Sequence, residues 1–114
     1  MASKLILVTR ADLSAGAQAV QAAHAFREFA ERHSALERDW YRTSNHLALL
    51  AVKNEAELAA LLRAAIDRDV AVAAFREPDL GDALTAIALA PCAHARTICR
   101  RLPSRSRGAE RNLP

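Results

Sequence analysis

The amino-acid sequence predicts a small α/β fold, a mixed four-stranded sheet flanked by helices, with its elements in the order β-α-α-β-α-β-β-α. Three observations lead there. Four apolar runs, residues 4–9, 46–52, 70–75 and 84–89, have strand length and are too short for helices. The segments between the first three runs carry apolar residues at three- and four-residue spacing, the period of a helix facing a core. A long helical connection between the first two runs suits a parallel pair, whereas the short link between the last two suits an antiparallel return.

Each element follows from its own residues. Residues 4–9 (KLILVT) are apolar and β-branched, and polar Arg10-Ala11-Asp12 ends them. From Ser14 to Arg32, Ala19, Ala22, Ala23, Phe26, Phe29 and Ala30 mark a core-facing stripe, with Asp12 or Ser14 as the cap. Ser34 and Glu37 have the spacing of a capping box, which predicts a second helix through about Tyr41. Residues 46–52 (HLALLAV) form the second strand, and Asn54-Glu55-Ala56-Glu57 caps a helix carrying Leu58, Leu61, Leu62, Ala65 and Ile66. Residues 70–75 are the third strand. Residues 76–82 (REPDLGD) read as a loop by their Pro, Gly and acids, and residues 84–89 are the fourth strand. A last helix runs from Cys92 to about Leu102, where Pro103 stops it. Strands this apolar are expected to be covered on both faces.

Composition confines the function. A chain of 114 residues, 52% apolar, fills one core, so residues 1–102 are read as a single domain and residues 103–114 as a basic, disordered tail. No run approaches the roughly 18 apolar residues of a spanning helix, and Met1-Ala2-Ser3-Lys4 lacks the pattern of a secretory signal. A cytoplasmic protein without membrane contact is expected. The net charge of +3 is uneven: from Arg96 onward there are six arginines and one acid, a balance of +5, against −2 for residues 1–95. Such a basic end is a handle for a polyanion.

Two constellations carry candidate chemistry. Gln21, His24 and Glu28 lie at i, i+3 and i+7 and share one polar helix face, which is also what the wet side of any amphipathic helix offers. At that helix's start the amides of Ala15, Gly16 and Ala17 are placed to meet a phosphate or an oxyanion, and Gly16 permits close approach. The loop 76–82 gathers Arg76, Glu77, Asp79 and Asp82 at a strand end, a common ligand position and equally an ordinary solvated turn. Cys92, His94 and Cys99 do not make a metal site on a helix. The thiols would be about 10 Å apart and His94 about 200° around the axis from Cys92. The same separation excludes a disulfide. There is no Gly-rich phosphate loop and no G-x-S-x-G elbow.

Several segments together resemble the type-2 peptidyl-tRNA hydrolases. Arg10-Ala11-Asp12-Leu13 after the first strand is similar to that family's R-x-D-L, and residues 16–25 (GAQAVQAAHA) to its G-K-x-A-x-Q-x-x-H-A helix start. Trp40 at the end of the second helix, Asn54-Glu55-Ala56-Glu57-Leu58 after the second strand, and Phe75-Arg76-Glu77, where the family has an Arg-Asp pair, fit the same order. Residues 85–91 (TAIALAP) resemble its closing T-x-x-A-x-x-P strand.

The resemblance implies hydrolysis of the ester joining a peptide to the terminal ribose of tRNA, by a protein that is often a dimer and uses neither metal nor organic cofactor. It assigns catalytic roles to His24, Gln21, Asp12 and Thr85: His24 to order or deprotonate water, Asp12 to orient a partner. Substrate binding falls to Gly16, Ala17, Arg76, Glu77 and Asp79, with Arg100 and Arg101 at the basic end on the tRNA. Two departures stand out. Ala17 occupies the position of the family lysine, and residues 76–79 replace a longer loop. The alternatives are therefore a tRNA- or protein-binding module without turnover, or a hydrolase of another small substrate using the same cleft.

Overall fold

The computed structural model describes residues 3–105. The elements are β1 (Lys4–Arg10), α1 (Ala15–Arg32), α2 (Ser34–Thr43), β2 (His46–Val52), α3 (Glu55–Asp67), β3 (Val72–Glu77), a single 3-10 turn (Pro78–Leu80), β4 (Ala83–Leu89) and α4 (Ala93–Cys99). Their order is the predicted one. The sheet runs β2-β1-β4-β3, with β1 parallel to β2 from Lys4 opposite His46 to Arg10 opposite Val52. β4 is antiparallel to both β1 and β3.

Right-handed crossovers decide which helix covers which face. The chain steps from β1 to β2 in one direction and from β2 back across the sheet to β3 in the other, so α1 and α3 fall on opposite faces. Accordingly α1 packs on β1, β3, β4 and α2, while α3 packs on β4 and α4. The central strands β1 and β4 are covered on both sides, which explains their unbroken apolar runs: Leu5, Val8, Leu84, Ile87 and Leu89 are fully buried. Phe29 is the largest fully buried side chain, and Trp40 is held between the Phe26 ring at 5.8 Å and the His46 carbonyl, to which its Nε1 donates at 2.8 Å. β2 departs from the expectation of full cover: at the edge of the sheet, it leaves Leu47 53% exposed.

Element boundaries differ for local reasons. Ser34 is the first residue of α2 and not its cap, because the single residue His33 ends α1 and begins α2. His33 has another use: its Nε2 donates to the Val72 carbonyl at 3.1 Å and its ring meets Phe29. At α3 the expected cap forms, with Asn54 Oδ1 accepting from the Glu57 amide and Glu57 returning to the Lys53 amide. β3 starts two residues later than expected. Asp69 is left-handed (φ 57°) and the Val70 amide closes α3 on the Ala65 carbonyl, so Val70 completes a helix end. Past a register shift at Phe75/Arg76, Arg76 and Glu77 then join the strand. The turn to β4 needs Gly81, at φ 63°.

α4 ends at Cys99, short of Leu102, and residues 103–105 are paired, contrary to the disorder expected there. The Ala51 amide donates to the Pro103 carbonyl and the Arg105 amide to the Leu49 carbonyl, along the outer edge of β2. The remainder of the expected disordered tail, residues 106–114, lies outside the described residues. Cys92 and Cys99 are free thiols, and burial pushes the Cys99 thiol up to about 11. Among the described residues no helix is long and apolar enough to cross a membrane, and no three His, Cys, Asp or Glu side chains converge as metal ligands.

Candidate active site

The site is built on the first half of α1, where it lies over the ends of β3 and β4. Ser14 caps the helix, its Oγ accepting from the Ala17 amide at 3.2 Å. That amide is therefore occupied and is not free for an anion, whereas Gly16 is exposed with open space around it. The buried face of α1 is Gln18, Gln21, Ala22, Ala25 and Phe29, and Ala19 and Ala23 are exposed. The core stripe is thus rotated from the one the alanines suggest. Gln21 belongs to it, although the spacing with His24 and Glu28 had placed all three on one wet face.

Gln21 is tolerated there because every polar atom pointing inward meets a partner. It is 6% exposed. Its Nε2 donates to Glu77 Oε1 at 3.0 Å, and its Oε1 accepts from the Thr85 hydroxyl at 2.6 Å. The amide nitrogen thus faces Glu77 and the oxygen Thr85, whose hydroxyl has the Phe75 carbonyl as a longer second acceptor at 3.3 Å. Thr85 is completely buried, and its backbone carbonyl accepts from the equally buried Thr9 hydroxyl at 3.0 Å. A relay thus runs from β3 through α1 to β4 and β1.

His24, one turn beyond Gln21, is exposed. Its ring lies flat on Phe75, with centroids 4.4 Å apart and planes at 11°. Among the described residues neither ring nitrogen has a hydrogen-bond partner, so one face is fixed by stacking while the nitrogens remain open to solvent. Phe75 and Arg76 continue into a groove of about 490 Å³ along the edge of β3, closed by Leu62 and Ile66 of α3 and by Glu28 and Arg32 of α1. Glu28 pairs with Arg32 at 3.2 Å and is a surface ion pair.

The other sequence-derived residues divide. Of the three acids in 76–82, Glu77 enters the site; Asp79 and Asp82 are exposed, as is Arg76. Asp12 binds Arg10 through two bonds, Nε to Oδ1 at 3.0 Å and Nη2 to Oδ2 at 2.9 Å, while Arg10 Nη1 donates to the Leu84 carbonyl. Arg100 and Arg101 are exposed in the turn after α4 and, among the described residues, have no ion-pair partner. Two contributors escaped the sequence reading. Gln18 Nε2 donates to the Leu13 carbonyl at 2.8 Å and its Oε1 accepts from Arg105 Nε at 3.0 Å. Glu55 accepts from the Leu84 amide at 2.7 Å. Gln18 carries a usable signal, a second glutamine one turn before Gln21; Glu55 was read only as part of the helix opening, with no sign of its reach to β4.

The family model of peptidyl-tRNA hydrolase PTH2 matches residues 3–100, nearly the whole described domain. This chain belongs to that family. The PTH2 fold seen here is similar to a solved structure of a protein of unknown function from Agrobacterium tumefaciens strain C58. The two share 13% identity, with a TM-score of 0.67 over 91% of this chain and 98% of the other. No curated protein matches the chain. In this PTH2 member the described site holds no lysine beside Gly16, since residue 17 is Ala.

The Arg10 pair holds the Asp12 carboxyl below its ordinary value of 3.8, first through the side-chain hydrogen bond. A depressed carboxyl contributes stability that is present above its unfolded value and lost as pH falls through the folded one. Asp12→Asn should therefore melt below wild type at pH 7 and match it in acid well below 3.8, as thermal melts across that window would show. Asp12 is largely exposed, so the difference is small.

Proposed function

We propose that this chain hydrolyses the ester between a peptide and the terminal ribose of tRNA. The observation that carries this is the Thr85–Gln21–Glu77 relay, one helical turn from an exposed, stacked imidazole. Glu77 takes one of the two amide hydrogens of Gln21. The other is free to donate to the ester carbonyl and, more strongly, to the oxyanion that forms when water adds to it. His24 takes a proton from that water and returns it to the leaving ribose oxygen. Thr85 and Glu77 keep the amide aimed, so that little reorganisation is needed as charge develops. Arg100 and Arg101, exposed after α4, are the cations this reading assigns to the tRNA backbone.

A second reading, a tRNA-binding module without turnover, is favoured by Ala17, which leaves the first turn of α1 without a cation of its own. Release of peptide from peptidyl-tRNA by the purified chain separates the two. Turnover by wild type, with His24→Ala lowering kcat about 10²-fold at an unchanged melting temperature, is the expected result. Binding of tRNA with no release of peptide would establish the second reading, and an undiminished rate in His24→Ala would remove the imidazole from the mechanism.

A further inference from the structure

A cation reaches the start of α1 from the far end of the chain. The bonds from the Ala51 amide to the Pro103 carbonyl (3.2 Å) and from the Arg105 amide to the Leu49 carbonyl (2.7 Å) strap residues 103–105 to β2. From that strap the Arg105 side chain extends to α1, where its Nε donates to Gln18 Oε1 at 3.0 Å. Gln18 is buried, and its amide nitrogen is engaged by the Leu13 carbonyl, so its oxygen is held in place for the guanidinium. Gln18 and Gln21 lie on the same buried face, one turn or about 5 Å apart along the helix.

Among the described residues the Arg105 guanidinium is anchored by one nitrogen only, its Nε. Among the described residues its two terminal amino groups meet no acid, and the residue is exposed. Arg10 differs, because its fork is consumed by Asp12 and the Leu84 carbonyl. Arg100 and Arg101 differ in the other sense: they are exposed and, among the described residues, have no anchor on a buried group. An arginine fixed at Nε with both terminal groups outward is pre-organised to grip a phosphate with two parallel bonds.

We propose that Arg105 is a substrate-binding residue that holds a phosphate of the last nucleotides of tRNA, placing the adjacent ester beside Gln21 and His24. The inference rests on the hydrolase reading above. It gives the C-terminal strap a role in the site: its pairing with β2 is what brings the charge across to α1.

The test compares full-length wild type with Arg105→Ala, Arg105→Lys and Arg111→Ala, reading kcat and KM on peptidyl-tRNA, the salt dependence of tRNA affinity, and melting temperature. Arg105→Ala should raise KM about tenfold with kcat nearly unchanged, the loss of a charge-assisted contact to substrate. It should also flatten the slope of log affinity against log salt by about 0.7 to 0.9, one phosphate contact. Arg105→Lys should recover the slope and only part of the KM, and Arg111→Ala should leave KM alone. If wild type turns over and Arg105→Ala alters neither KM nor slope, or Arg111→Ala matches it in both, the proposal is overturned while the hydrolase reading stands. A fall in melting temperature with KM and slope intact would likewise overturn it in favour of a structural strap. Wild type that binds tRNA without turnover removes the hydrolase reading, and the slope comparison then decides Arg105 by itself. Wild type that neither binds nor turns over removes both.

Discussion

Gln21→Ala should lower kcat on peptidyl-tRNA by about 10²- to 10³-fold, the usual cost of deleting one donor to a developing oxyanion. The same substitution strips Glu77 of a hydrogen bond and leaves the Thr85 hydroxyl to turn toward the Phe75 carbonyl, 3.3 Å away. The protein should therefore stay folded, with both former partners retaining an outlet, and KM should change far less than kcat. Thr85→Val tests the orientation separately. It keeps Gln21 but removes the Thr85 donor to its buried Oε1, which should cost about 1–3 kcal/mol in stability for an unsatisfied buried acceptor. It should also reduce kcat, since the amide is then held by Glu77 alone. Steady-state kinetics with urea denaturation would separate the effects, and a Gln21→Ala enzyme with near-normal kcat would rule out the amide as the oxyanion donor.

Phe29→Ala should destabilise the protein by about 3–5 kcal/mol, the range for truncating a fully buried aromatic ring. The site is 0% exposed, between α1 and the sheet, and its ring is also the neighbour of His33. The core cluster mixes Leu, Ile and Val of the strands with alanines such as Ala22 and Ala25 on α1 itself, and those alanines are too short to fill the gap. Against a typical total of 5–15 kcal/mol this is a large fraction, and the urea midpoint should fall sharply at a constant slope. A loss below about 1 kcal/mol would mean that the ring is not the keystone its burial indicates.

The fold was legible because its signals are local. Four apolar runs of strand length, helical spacing between them, and an Asn54 cap each report on a few neighbouring residues. They sufficed for element order and for the parallel and antiparallel pairs. Where the reading slipped, a neighbouring element had intervened. Ser34 has capping-box spacing, but His33 is both the end of α1 and the start of α2. Residues 103–105 have a composition that suits disorder, yet the open edge of β2 offers them backbone partners.

The candidate site shows the same division. The motifs of α1 and β4 placed Gln21, His24 and Thr85 among its residues from the sequence alone, and the family match over residues 3–100 agrees with that resemblance. Periodicity, however, assigned Gln21 to the wet face. A glutamine reads as polar in any window, and only partners 64 and 56 residues away, Thr85 and Glu77, make its burial favourable.

The sequence by itself determined the α/β class, the order of elements, the family and the basic character of the C-terminal end, because each rests on residue identity or short-range spacing. Tertiary structure alone decided which of Glu77, Asp79 and Asp82 faces the site, that Arg10 reaches the Leu84 carbonyl, and that Arg105 reaches α1 from 87 positions away. The physical reason is that hydrogen bonds between buried polar groups are set by which strand edges and helix faces meet. That meeting follows from the handedness of the crossovers and the packing of the sheet, and no window of sequence contains it.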